Sequence, residues 1–148
     1  MQSVTHNVNI QWYGEGFKAQ VAEATAAGLT AAAGELSRAM KRNIGVQGPP
    51  RSTPGDYPKM ETQSLRRSIT VQAATPASLA AAAGVAAGAR NMASGAEVND
   101  YALYLEFGTS KMAPRPWLLR SYTENRTNIL ESFIGAAKAR MTKAGGTA

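Results

Sequence analysis

The chain has no cysteine and a single histidine, His6. The first absence excludes disulfide staples, thiolate zinc sites and thiol redox chemistry, and it fits folding in a reducing cytosol. The second leaves no His or Cys cluster to hold zinc. It also leaves one imidazole with neither a cysteine nor a glycine-framed serine to activate, so nucleophilic catalysis lacks its partners. Aromatic residues are scarce as well: two Trp, five Tyr and three Phe in 148 residues. Much of the 44% hydrophobic content is alanine. Bulky side chains are therefore few, and the composition predicts a thin core that neighbours complete. No apolar run approaches the ~18 residues of a membrane span. The N-terminal MQSVTHNVNIQW has neither a basic start nor an apolar signal core, so the expectation is a soluble, unexported chain.

What is present fits one domain, residues 1–148, of a size that buries roughly 68–70% of its unfolded surface. Sixteen Lys and Arg against ten Asp and Glu give a net charge of +6, spread over both halves. Such an excess permits contact with DNA without sequence specificity but does not demonstrate it, and a solvated basic surface is the simpler reading. Asp100 and Glu106, six residues apart, fall on different faces of one helix and do not form a catalytic pair. The simpler reading makes Asp100 a helix cap and Glu106 one half of a surface or interface ion pair. No glycine-rich turn is followed by Lys-Ser or Lys-Thr, so a phosphate cradle is missing too. The residues point to no cofactor, no metal and no enzyme.

The periodicity predicts an α+β fold: a small antiparallel sheet of three to four strands against two long helices, with a short third helix and a long Pro-rich loop. Val4 to Trp12 alternates like a strand. Phe17, Val21, Leu29, Ala32, Leu36 and Met40 then mark a helical stripe that runs to about Asn43, with Arg38, Lys41 and Arg42 suited to the negative pole of the dipole. Ser64 to Ala73 reads as a short turn and a strand with Ile69 and Val71 on one face. The stretch Ala73–Ala89 is rich in helix formers, but Gly84 and Gly88 weaken a helix, so a strand around Gly84 to Ala89 is expected to pair with the preceding one. Asn91 to Gly95 reads as a turn. A short helix follows, with Asn99 or Asp100 as cap and Gly108 as its left-handed stop. Pro116 opens a last helix that is expected to bury Leu118, Tyr122, Ile129, Phe133, Ala137 and Met141, before a flexible tail over residues 143–148.

Two stretches ask for more than packing. GVQGPPRSTPGDYPKMET, residues 45–62, holds four of the seven prolines. Its stiffness lowers the entropy cost of docking, and Arg51, Lys59 and Tyr57 supply charge and an aromatic anchor, so it is expected to dock on a neighbour. YLEFGTSKMAPRPW breaks a short helix into an extended cationic arm carrying Lys111 and Arg115. Either this arm is presented to a partner, or it is an ordinary connection whose Trp117 and Phe107 plug the core.

Together these stretches resemble the neck or tail-completion proteins of long-tailed bacteriophages, which join head to tail. The resemblance covers roughly Leu36 to Tyr122 and rests on PPRSTPGDYPKMET, SLRRSI and YALYLEFGTSKMAPRPWLLRSY, with EFGT and APRPW its most specific parts. The chain departs from the family where Gln63 follows Thr62, because the family usually closes the loop there with a threonine-glycine pair. The resemblance implies a non-enzymatic virion protein assembled in the host cytoplasm. It implies a ring of identical copies, six by the usual symmetry, around the DNA channel and against head-closure, terminator or tail-tube proteins. A tail terminator capping the tail tube is the alternative within the family, and a small basic nucleic-acid-binding module is the alternative outside it. The implied interface is Pro49, Pro50, Arg51, Pro54, Tyr57 and Pro58 of the loop with Tyr101, Glu106, Phe107, Gly108, Thr109, Lys111, Pro114, Arg115, Pro116 and Trp117 of the arm. On this view, deleting Pro49 to Pro58 leaves a folded monomer unable to join heads to tails.

Overall fold

The computed structural model describes residues 14–45, 52–59 and 62–145. Over these residues the fold is α+β: helix α1 (Gly14–Asn43), a short α2 (Ser64–Ser68), strands β1 (Ile69–Gln72) and β2 (Ala82–Val85), then α3 (Val98–Phe107) and α4 (Leu118–Gly145). Among the described residues the sheet has two strands, where three to four were expected for the chain. The strand expected over Val4 to Trp12 lies outside the described residues.

α1 ends at Asn43 as expected, with Lys41 and Arg42 in its last turn, but it begins at Gly14, ahead of the expected Phe17, with Glu15 in its first turn. Its buried face follows the expected stripe only at Met40. Phe17 and Val21 are exposed, while Ala24, Ala26, Gly28, Ala33, Ser37, Ala39 and Met40 are buried. The reason is the close, antiparallel approach of α4. Glu23 pairs with Arg140 near one end and Asn43 bonds Ser121 at the other, and a Cβ placed on Gly28 would lie 2.8 Å from the Phe133 ring. Small residues win the inner face because they let two long helices come close.

The same geometry rotates α4 away from expectation. Ser121 is fully buried, whereas Leu118, Tyr122 and Met141 are exposed and Ile129, Phe133 and Ala137 are half-buried. α4 begins at Leu118 rather than Pro116, and residues 143–145, expected in the flexible tail, belong to the helix.

The β-hairpin packs on α1. Its register pairs Ile69 with Val85 and Thr70 with Gly84, so the alanine-rich stretch does form a strand despite its helical propensity, because pairing outweighs local preference; the strand is Ala82–Val85, earlier than the expected Gly84 to Ala89. Ile69 is buried, but Val71, on the same face two residues on, has already run past the core and is exposed. The turn over residues 92–94 falls inside the expected Asn91–Gly95, closed by Gly95 N donating to Asn91 O.

The core is thin and gathered at one end of the molecule. Met40 and Ile44 at the end of α1 meet Leu65, Ile69, Val98, Ala102, Leu105 and Trp117. That end is where α3, the arm and the start of α4 converge, and it fixes the geometry of the segments singled out by the sequence.

Candidate functional site

α3 starts at Val98, so its cap falls two to three residues before the expected Asn99 or Asp100. Glu97 takes the cap position without a side-chain bond and instead faces Arg90, while Asp100 is exposed in the first turn. At the other end Gly108 does stop the helix: it has φ +75°, and its N–H donates to Tyr104 O. A Cβ there would sit 2.7 Å from Met112 O, so the backbone conformation and the close approach both require glycine. The chain then turns tightly, with Thr109 N donating to Met112 O at 2.8 Å and Arg115 N donating to Leu105 O at 2.7 Å.

Glu106 is the joint of this corner. Its carboxylate accepts hydrogen bonds from the backbone N–H groups of Trp117 (2.8 Å), Leu118 (2.9 Å) and Leu119 (3.0 Å). It is therefore the cap of α4, delivered from the end of α3, and it has no ion-pair partner among the described residues. A carboxylate at this pole satisfies three otherwise unpaired donors and meets the positive end of the helix dipole. Trp117 is buried behind it, its Nε1–H donating to Ala102 O at 3.1 Å. Phe107, the other aromatic considered as a core plug, is 76% exposed.

The described part of the loop lies against this arm. Gly55 N donates to Pro114 O, the Arg115 guanidinium donates to Ser52 O, and the Arg120 guanidinium donates to Gly55 O, at 2.9–3.0 Å. Pro58 is fully buried and its carbonyl accepts from Gly45 N, which closes the strap at its base. Tyr57 donates its hydroxyl proton to Glu124 at 2.6 Å and accepts from Asn43 at 3.0 Å, while Arg120 stacks 4.5 Å above its ring. Burial first, and then the bond to Glu124, push the Tyr57 phenol up to about 12. The bonds from Tyr57 and Arg120 hold the Glu124 carboxyl below its ordinary value.

The two segments expected as handles thus meet within the chain. Tyr57, Pro58, Pro114 and Arg115 are brought together with Gly108 and the Glu106 cap, while Tyr101 packs half-buried against the core. Pro54, Phe107, Thr109, Lys111 and Pro114 are exposed, and Pro116 is half-buried. Pro49, Pro50 and Arg51 lie outside the described residues. Because Pro58 is part of the interior, deleting Pro49 to Pro58 removes structural contacts, and a folded monomer is no longer the expected product. Sequence reasoning missed Asn43, Arg120, Ser121 and Glu124; only the i,i+4 spacing of Arg120 and Glu124 hinted at their pairing.

It also missed an exposed apolar corner. Leu103, Tyr104 and Phe107 on α3 are exposed, as are Leu118, Leu119 and Tyr122 at the start of α4. The Glu106 bonds to Leu118 and Leu119 bring these two groups side by side. Among the described residues no three His, Cys, Asp or Glu gather to hold a metal, and no helix is long and apolar enough to cross a membrane. A cavity of about 60 Å³ between Ile44, Pro58, Leu65, Val98 and Leu105 has room for little more than water. Comparison with family models, curated proteins and solved structures finds no match.

Proposed function

We propose that this chain is a structural subunit of a long-tailed phage virion, a neck or tail-completion protein that closes into a ring of six at the head-to-tail joint. Head-closure, terminator or tail-tube proteins adjoin the ring, and DNA passes through its lumen without sequence readout. The observation that carries the reading is the exposed apolar corner around Phe107, held rigid by the Glu106 cap and by the strap. Large exposed apolar groups on a soluble domain mark contact surfaces, and a thin core gains stability when copies associate. The loop and arm that carry the family resemblance build this corner. Their rigidity suits a joint, because a preorganised surface loses little entropy on docking.

Electron microscopy and sedimentation of the purified protein test the ring. Closed rings at micromolar concentration are expected, together with restored infectivity when the protein is added to separate heads and tails of a phage lacking it. A strictly monomeric protein whose affinity for DNA falls steeply with salt would favour the nucleic-acid-binding reading instead.

A further inference from the structure

We infer that successive subunits meet through two different surfaces: the outer face of α3 on one copy and the distal flank of α4 on the next. This rests on the ring reading and specifies its contact. On α3, Asp100, Leu103, Tyr104 and Phe107 follow the i, i+3, i+4, i+7 pattern and are all exposed. On α4, Leu130, Ile134, Lys138 and Met141 share a second exposed flank, away from α1. α1 is the main neighbour of α4, and among the described residues nothing covers this flank.

The two surfaces match in length and charge. Asp100 to Phe107 spans about 10 Å and Leu130 to Lys138 about 12 Å at 1.5 Å per residue. Laid antiparallel, Phe107 covers Leu130, Leu103 and Tyr104 cover Ile134, and Asp100 reaches Lys138. Lys111, just beyond the end of α3, then lies at the Leu130 end of the flank, where Arg126 and Glu131 are both exposed. None of these five charged side chains has an ion-pair partner among the described residues. The opposite orientation carries Asp100 away from Lys138 and sets Lys111 against it, so an attraction is exchanged for a like-charge contact.

Geometry also selects the occupant as a second copy. The α3 face adjoins the start of α4 near Leu119, and Ile134 lies about 22 Å further along the same helix. One chain cannot bring the two together. Contact between two different surfaces of identical subunits is heterologous and closes a ring by rotation, whereas a self-complementary patch would stop at a two-fold dimer.

The chain's lack of cysteine makes cross-linking unambiguous. The double variant Phe107→Cys/Leu130→Cys, treated with a short bismaleimide, is expected to give a covalent ladder of oligomers, and each single variant none. Asp100→Lys alone and Lys138→Asp alone each weaken self-association at least tenfold at low salt, and their combination restores most of it. Covalent dimers from Leu130→Cys alone would replace this contact with a two-fold pairing of α4. Rings seen by microscopy without a ladder, or charge reversals without mutual rescue, would overturn the contact and leave the ring standing. A monomeric wild-type protein would overturn both.

Discussion

Replacing Glu106 tests whether one carboxylate holds the corner together. In Glu106→Ala, the N–H groups of Trp117, Leu118 and Leu119 lose the acceptor now 2.8–3.0 Å away. Loss of a side-chain cap costs about 0.5–2 kcal/mol. Removing a negative charge from a helix N-terminus adds about 0.3–1 kcal/mol, rising toward ~2 where the site is partly buried, as Glu106 is. Water replaces part of the loss at the exposed Leu118 and Leu119, but less of it at Trp117, which is 3% exposed. The expected destabilisation is about 3 kcal/mol, equivalent to a fall in Tm of roughly 10 °C for a domain of this size. Glu106→Gln keeps an acceptor and loses the charge, so it should cost about half as much. Urea unfolding followed by Trp fluorescence and helical circular dichroism measures both. The control is Asn128→Gln, an exposed position on α4 outside the proposed contact, for which the change should stay within about 0.5 kcal/mol. Equal midpoints for the Glu106→Ala and Asn128→Gln variants would refute the capping role.

Three further outcomes follow from the same geometry. Gly28→Ala drives a methyl to 2.8 Å from the Phe133 ring and 2.9 Å from its carbonyl, so thermal unfolding should show a loss of about 1–3 kcal/mol, whereas Gly34→Ala, whose nearest neighbour is Arg38 Nη1 at 3.8 Å, should gain up to about 1 kcal/mol. Gln63 is the one described non-glycine residue with positive φ, at 60°; Gln63→Gly should therefore stabilise by up to about 1 kcal/mol in urea titration, and a clear loss would mean that its side chain contributes more than its backbone strain costs. Tyr57 holds its proton more tightly folded than unfolded, with a phenol raised from 10.0 to about 12, so its contribution is complete below about pH 10 and disappears as pH rises toward 12. Stability measured across that window should fall more steeply for the wild type than for Tyr57→Phe, and parallel curves would count against the Tyr57–Glu124 bond.

Much of the local structure was legible in the sequence because its causes are local. Gly108 stops α3 through its own φ, and basic residues collect at the end of α1. A charge or a turn residue acts over one or two neighbouring turns, which is the range that pattern reading covers. The misread faces of α1 and α4 share one cause of longer range. Apolar spacing reports that a helix buries a stripe, but the partner chooses which stripe, and here the nearness of two long helices selected Ala24, Gly28 and Ser121 over Phe17, Val21 and Tyr122.

The amino-acid order alone therefore determined where α1 and α3 end and that the interior would be thin, and it singled out the Pro-rich loop and the EFGT-to-APRPW arm. Only tertiary structure decided what those segments touch. Glu106 reaches across 11 to 13 residues to cap α4, and Arg115 reaches across 63 to hold Ser52. Bonds of that separation depend on how the elements pack, so no local spacing encodes them. The same packing leaves Leu103, Tyr104 and Phe107 facing outward, because the opposite side of α3 is occupied by the core.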